Sequence, residues 1–223
     1  HMKRIFLSLI ICFTAFYSNA QWNETTDSAE MGAGYLNNVY YSFLTGEVAA
    51  NPTNNWHIAF RSGLMADGIR INSVNASGPA SSAVTMYLAH KGDTSNWSTF
   101  DTAGYKTWTG YQNSNTTWEI GAMNQHAGMF PDVSWGVYDM GSHAVTGDAI
   151  YLIEYKDGGV TKFKKLTIIS KIGGSWLFRY ADIDGSNENS VELKHADIRD
   201  YNYTYFNLST DQVVVQEPKS SEW

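Results

Sequence analysis

The sequence predicts an all-β, mostly antiparallel protein with few or no helices, and three observations carry that expectation. Stretches with an apolar residue at every third or fourth position are scarce. The apolar runs are short, rich in Val, Ile, Tyr, Phe and Trp, and broken every few residues by Gly, Asn, Ser or Thr. Between two such runs stands Lys156-Asp157-Gly158-Gly159, a hairpin signal because glycine accepts the positive φ of a tight turn.

The chain begins with a segment that falls outside any fold argument. His1 stands in front of Met2 and reads as a cloning remnant. Lys3 and Arg4 precede an apolar run from Ile5 to Tyr17, and Ser18-Asn19-Ala20 follow. That order of charged, apolar and small residues is the pattern of a secretory signal peptide over residues 1–20, too short to span a bilayer. Cys12 lies inside the apolar run rather than at its end, which argues against a lipoprotein anchor. The expected mature chain carries no cysteine, so neither disulfides nor thiolate chemistry contribute. Its stability must come from a core, and about 200 residues suffice for one.

After a lead-in at residues 21–33, strands are expected at 39–44, 56–61, 68–72, 84–90, 117–121 and 203–208. The hairpin spans 149–170, and Trp176 to Tyr180 adds a third strand after Gly173-Gly174, making a meander. Lys162, Lys164 and Lys165 are expected on its wet side. One β domain should run over residues 34–205.

A repeat marks the two ends. Tyr41-Ser42-Phe43-Leu44-Thr45-Gly46-Glu47-Val48, followed by Pro52 and Trp56, is echoed by Tyr205-Phe206-Asn207-Leu208-Ser209-Thr210-Asp211, then Val213, Pro218 and Trp223. After Trp56 the first copy continues into an apolar run, whereas the second stops at its Trp. Residues 205–223 therefore read as the start of a second repeat unit, with the native protein continuing.

These residues carry a resemblance. The run from Tyr41 to Val48 with Asn55-Trp56-His57-Ile58-Ala59-Phe60-Arg61, the segment Trp135-Gly136-Val137-Tyr138-Asp139-Met140-Gly141-Ser142-His143, and the hairpin after it resemble the HmuY-like family of secreted Bacteroidetes proteins. His57 stands where the family usually has Asp. The match covers most of residues 39–205 and looks like the flavobacterial exported branch, which implies a type IX export route. The best-known members capture haem between two axial side chains, with no chemistry on the cargo. Imidazole and thioether donors complete the iron's coordination. Carried over, His143 sits at the position resembling one axial ligand, and His126 is the candidate for the other, with Met140, Met129 and Met123 as alternates. The resemblance also implies an outer-membrane receptor or the export machinery as partners.

Other readings come from the residues themselves. Asp182, Asp184 and Asn187 place oxygen donors at alternating positions, as at the start of a calcium loop, but Glu192 arrives one residue early for the bidentate position. Asp27-Ser28-Ala29 and Asp101-Thr102-Ala103 resemble acceptor patterns for O-glycosylation at Ser28 and Thr102. Trp97, Trp108, Tyr111, Trp118 and Trp135 crowd one stretch, and could form a sugar-stacking platform or fill a sheet core. The alternative to haem capture is thus an exported structural, adhesive or carbohydrate-binding β module. A net charge of −7 argues against nucleic acid as a partner. No nucleophile elbow, zinc-protease or phosphate-loop motif appears, so the expectation is a binding protein rather than an enzyme.

Overall fold

A computed structural model describes residues 26–73 and 83–223. The expected signal peptide, Cys12 included, lies outside the described residues. Two strands, β1 (Asn37–Ser42) and β2 (Gly46–Pro52), form a separate hairpin. Next come β3 (Ile58–Arg61), β4 (Ile69–Ile71), β5 (Thr85–Lys91) and β6 (Gly110–Tyr111). The middle of the chain supplies β7 (Gly136–Asp139), β8 (Ala144–Gly147), β9 (Ala149–Asp157), β10 (Val160–Ile172) and β11 (Ser175–Ala181). After β12 (Asn189–Leu193), a single helical turn α1 (His195–Ile198) leads to β13 (Tyr203–Asn207) and β14 (Gln212–Val214). Every strand pair among the described residues is antiparallel, and the all-β expectation holds.

The strands build two facing sheets. One runs in the order β12-β11-β10-β9-β5-β6, with β8 on β10 and β7 on β8; the other is β14-β13-β3-β4. Alternation along β9 explains the packing, because successive side chains in a strand point to opposite faces. Tyr151, Ile153 and Tyr155 enter the core between the sheets, where they join Ile58, Phe60, Phe178 and Phe206. The rings of Phe60 and Phe178 stack at 4.7 Å across that core. Each such side chain, fully buried, contributes about 2–3 kcal/mol. Ile150 and Leu152 point to the other face of β9, beneath Trp97 and Phe100.

That second cover corrects one expectation. Lys162 is exposed, but Lys164 and Lys165 are buried. Lys165 donates from Nζ to the Trp97 carbonyl at 2.8 Å, and Lys164 pairs with Asp182 at 2.8 Å. The two lysines point to opposite faces of β10: the segment that carries Trp97 roofs Lys165, and Lys164 lies on the core side over the Tyr180 ring, capped by Asp182. A second correction concerns residues 117–121, which form no strand. Their backbone bonds locally and to side chains instead: the Ser114 hydroxyl accepts from the N–H of Thr117, the Trp118 carbonyl accepts from Arg70 and Tyr203, and the Ile120 carbonyl accepts the N–H of Ser114. His195 is half-buried at the start of α1, with its backbone N–H bonded to the Ser175 hydroxyl.

The expected central hairpin is present as β9 and β10. Asp157 pairs with Val160, and Gly158 and Gly159 hold φ of 55° and 81° in the two-residue turn. Both copies of the repeat also fold as hairpins. The first is β1–β2, turning at 43–45, and the second is β13–β14, turning at 208–211. Their surroundings differ. Leu208 is buried in the main core, whereas Leu44 at the equivalent turn is exposed.

Candidate functional site

The turn between β7 and β8 is built by Asp139. Its Oδ1 accepts the backbone N–H of Gly141 at 3.1 Å and of Ser142 at 2.7 Å, and the Ser142 hydroxyl at 2.7 Å. These bonds, the Ser142 backbone first, hold the Asp139 carboxyl below its ordinary value. His143 closes the turn, donating its N–H to the Asp139 carbonyl at 2.9 Å with φ of 56°, a left-handed conformation that is uncommon outside glycine. The turn is anchored by β8, which runs against β10 so closely that a Cβ on Gly147 would lie 1.6 Å from the Ile168 carbonyl oxygen.

The His143 ring is positioned by a neighbour. Its Nδ1 lies 2.6 Å from the Tyr138 hydroxyl. The loop before β7 folds over the same strand: Tyr138 donates its N–H to the Pro131 carbonyl at 2.9 Å, and the Phe130 and Tyr138 rings lie 5.9 Å apart. Met129 on that loop is 91% exposed and Met140 on the turn is 71% exposed, so two thioethers and one imidazole stand in the open at one corner. Phe130 adds exposed apolar surface there.

The remaining ligand candidates go elsewhere. Met123 is fully buried in the main core. His126 is half-buried, with Nε2 3.0 Å from the Tyr151 hydroxyl and its ring 5.0 Å from Tyr111. Its Nδ1 has no partner among the described residues. Burial, reinforced by Lys91, holds the His126 imidazole below its ordinary pKa, so it is neutral at pH 7. Tyr138, which orients His143, stands in the segment that carries the family resemblance, but the sequence assigns it no role at the site. Its signal was an aromatic residue five positions before the histidine, which becomes informative only once the turn brings the two together.

The calcium-loop candidates are engaged with one another. Asp182 pairs with Lys164 through Oδ1, while its Oδ2 accepts from the Asn187 amide at 2.6 Å and the Ser186 hydroxyl at 3.3 Å. Asp184 accepts from the Ser186 N–H and hydroxyl. This is an Asx-type turn whose oxygens already have donors. Among the described residues no group of three or more His, Cys, Asp or Glu side chains gathers as a metal site. Ser28 is exposed, with its N–H on the Asp27 carboxylate, and Thr102 is half-buried between Asp101 and Ala103, whose N–H the Asp101 carboxylate accepts.

The five aromatic residues of the proposed platform separate. Trp97 and Trp135 are buried, Trp108 and Tyr111 are half-buried, and Trp118 is exposed. Trp118 belongs to a groove of about 610 Å³ on the outer face of the smaller sheet, and neither His126 nor His143 lines it. No helix of the described residues is long and apolar enough to cross a membrane.

The chain matches no family model, no curated protein and no solved structure.

Proposed function

We propose that this protein is an exported, non-catalytic binding module of HmuY type that captures haem at the corner formed by the β7–β8 turn and the loop before it. The observation that carries this reading is the pairing of Tyr138 with His143 beside two exposed methionines. An iron-ligating histidine needs one ring nitrogen fixed by a hydrogen bond and the other free. With the proton on Nδ1, His143 donates to the Tyr138 oxygen and keeps the Nε2 lone pair for iron. Met129 and Met140 are the soft donors near it, suited to the opposite face of the haem. Phe130 supplies apolar surface for the macrocycle.

His126 serves as the second ligand only if Tyr151 releases its Nε2, so the methionines are preferred. Bound haem here is cargo, not a cofactor, and its exposed position suits transfer to an outer-membrane receptor. The test is a titration of haemin into the folded protein, followed by absorption, for wild type and His143→Ala. A saturable one-to-one Soret change that weakens in the variant supports the reading. A spectrum equal to that of haemin with an unrelated protein would end it.

A further inference from the structure

The groove on the smaller sheet is a separate site with its own chemistry. Its floor is an aromatic cluster on the outer face of β3 and β13, formed by Trp56, Ala59, Tyr203 and Tyr205. Trp56 and Tyr205 meet edge to face at 4.9 Å. One wall is the N-terminal hairpin, through Val39 and Tyr40. The opposite wall is the segment around Trp118, which lies against β3 and β4.

That wall is tied down at three points. Arg70 donates to the Trp118 carbonyl at 2.9 Å and lays its guanidinium 4.4 Å over the indole ring. The Tyr203 hydroxyl donates to the same carbonyl. Arg61 pairs with Glu119 at 2.8 Å. Trp118 is nonetheless 71% exposed, so an indole ring is held in place at the groove with much of its surface open to solvent. Arg70 covers one face of the ring, and the exposure leaves indole surface available to a ligand in the groove.

We propose that this groove binds a saccharide, with Trp118 as the stacking platform. A sugar ring presents an apolar C–H face and a rim of hydroxyls, each both donor and acceptor. The groove offers the matching set: an open indole face, the guanidinium and carboxylate of Arg61 and Glu119 side by side, and the exposed amide of Asn202. Trp56 belongs to the apolar floor. It is nine-tenths buried, lines the groove, and its Nε1–H has no acceptor among the described residues. That nitrogen has almost no accessible surface, so Trp56 meets a ligand through its carbon framework alone. The volume is within the range of small-molecule sites, and few precisely placed polar groups on an apolar floor is their usual make-up.

The experiment is native electrophoresis of the folded chain through gels containing xyloglucan, laminarin, mannan or pectin, with thermal melting as a check on folding. The expected result is retardation of wild type in at least one gel. Binding should be about tenfold weaker in Trp118→Ala, as expected for loss of one aromatic stack. Trp118→Phe keeps a ring and should retain most of the retardation. His143→Ala should match wild type, which separates this site from the haem corner. Free migration through all four gels, or retardation unchanged in a folded Trp118→Ala, overturns the proposal.

Discussion

The Nδ1 atom of His57 accepts the backbone N–H of Leu208 at 2.9 Å, joining the segment that enters β3 to the turn of the last hairpin. The same residue donates its own N–H to the Phe206 carbonyl at 2.9 Å, and its ring packs 4.5 Å from that of Tyr155. Burial holds His57 at a pKa of about 4, against 6.5 when unfolded. An acceptor at Nδ1 requires the neutral ring, so the bond and the depressed pKa agree.

Stability should therefore depend on pH in a definite direction. As pH falls from 6.5 towards 4 the unfolded chain takes up a proton that the folded chain refuses. The stabilisation is complete above pH 6.5 and is lost across that window, by about 3 kcal/mol at most. Urea unfolding at pH 7.5, 5.5 and 4.5 measures it. In His57→Asn the slope attributable to this residue should vanish while the starting stability is lower.

Glu217 acts in the opposite sense. It is buried, and its Oε1 accepts the backbone N–H groups of Asn202 at 2.5 Å and Tyr203 at 2.8 Å, while Oε2 accepts the Tyr205 hydroxyl at 3.1 Å. Burial outweighs these bonds and raises the carboxyl above its ordinary value. The folded state keeps this proton to higher pH than the unfolded state, so its contribution is present at low pH and is lost as pH rises through the folded pKa. Glu217→Ala orphans both backbone donors and should cost about 2–4 kcal/mol. Glu217→Gln retains an acceptor and should cost much less, with a flatter pH profile in the same urea experiment.

Gly147 is required by close approach. A methyl group there would meet the Ile168 carbonyl and force β8 away from β10. Gly147→Ala should lower stability by about 3 kcal/mol. Because β8 carries the β7–β8 turn, haemin binding should weaken as well. Differential scanning calorimetry and a haemin titration on the same sample test the two effects together.

Tyr138→Phe removes the hydroxyl that orients His143 and leaves the ring against Phe130. Haemin affinity should fall roughly tenfold or more, the usual effect of losing a ligand's hydrogen-bond partner. The melting temperature should change little, since the bond is on the exposed turn. An unchanged affinity would show that the imidazole needs no such support.

Much of the fold was legible because it rests on local pattern. The β9–β10 hairpin follows from the Asp-Gly-Gly turn and from strand-forming residues on either side, and β11 from the run Trp176 to Tyr180. What failed depended on partners distant in sequence. Lys164 and Lys165 look solvated until the segment around Trp97, 68 residues from Lys165, folds over the one, and Tyr180 and Asp182 close over the other. Residues 117–121 have strand-forming composition, but their backbone pairs with no strand and bonds instead to side chains of Arg70, Ser114 and Tyr203 and to the nearby N–H groups of Ser114 and Asn124. The site was legible as a set of residue types and not as an arrangement. His143, Met140 and Met129 share a corner, while His126 and Met123 turn inward to Tyr151 and the core. The groove was not legible at all, since Trp56, Arg70, Trp118 and Tyr203 come from four separate parts of the chain.

The most direct measurement is electron paramagnetic resonance of the ferric haem complex at one equivalent, for wild type and His143→Ala. Axial ligation by His143 with a methionine on the other face gives a low-spin signal in wild type and a high-spin signal once the imidazole is removed. The same low-spin signal in both proteins would contradict ligation by His143, and with it haem capture at this corner.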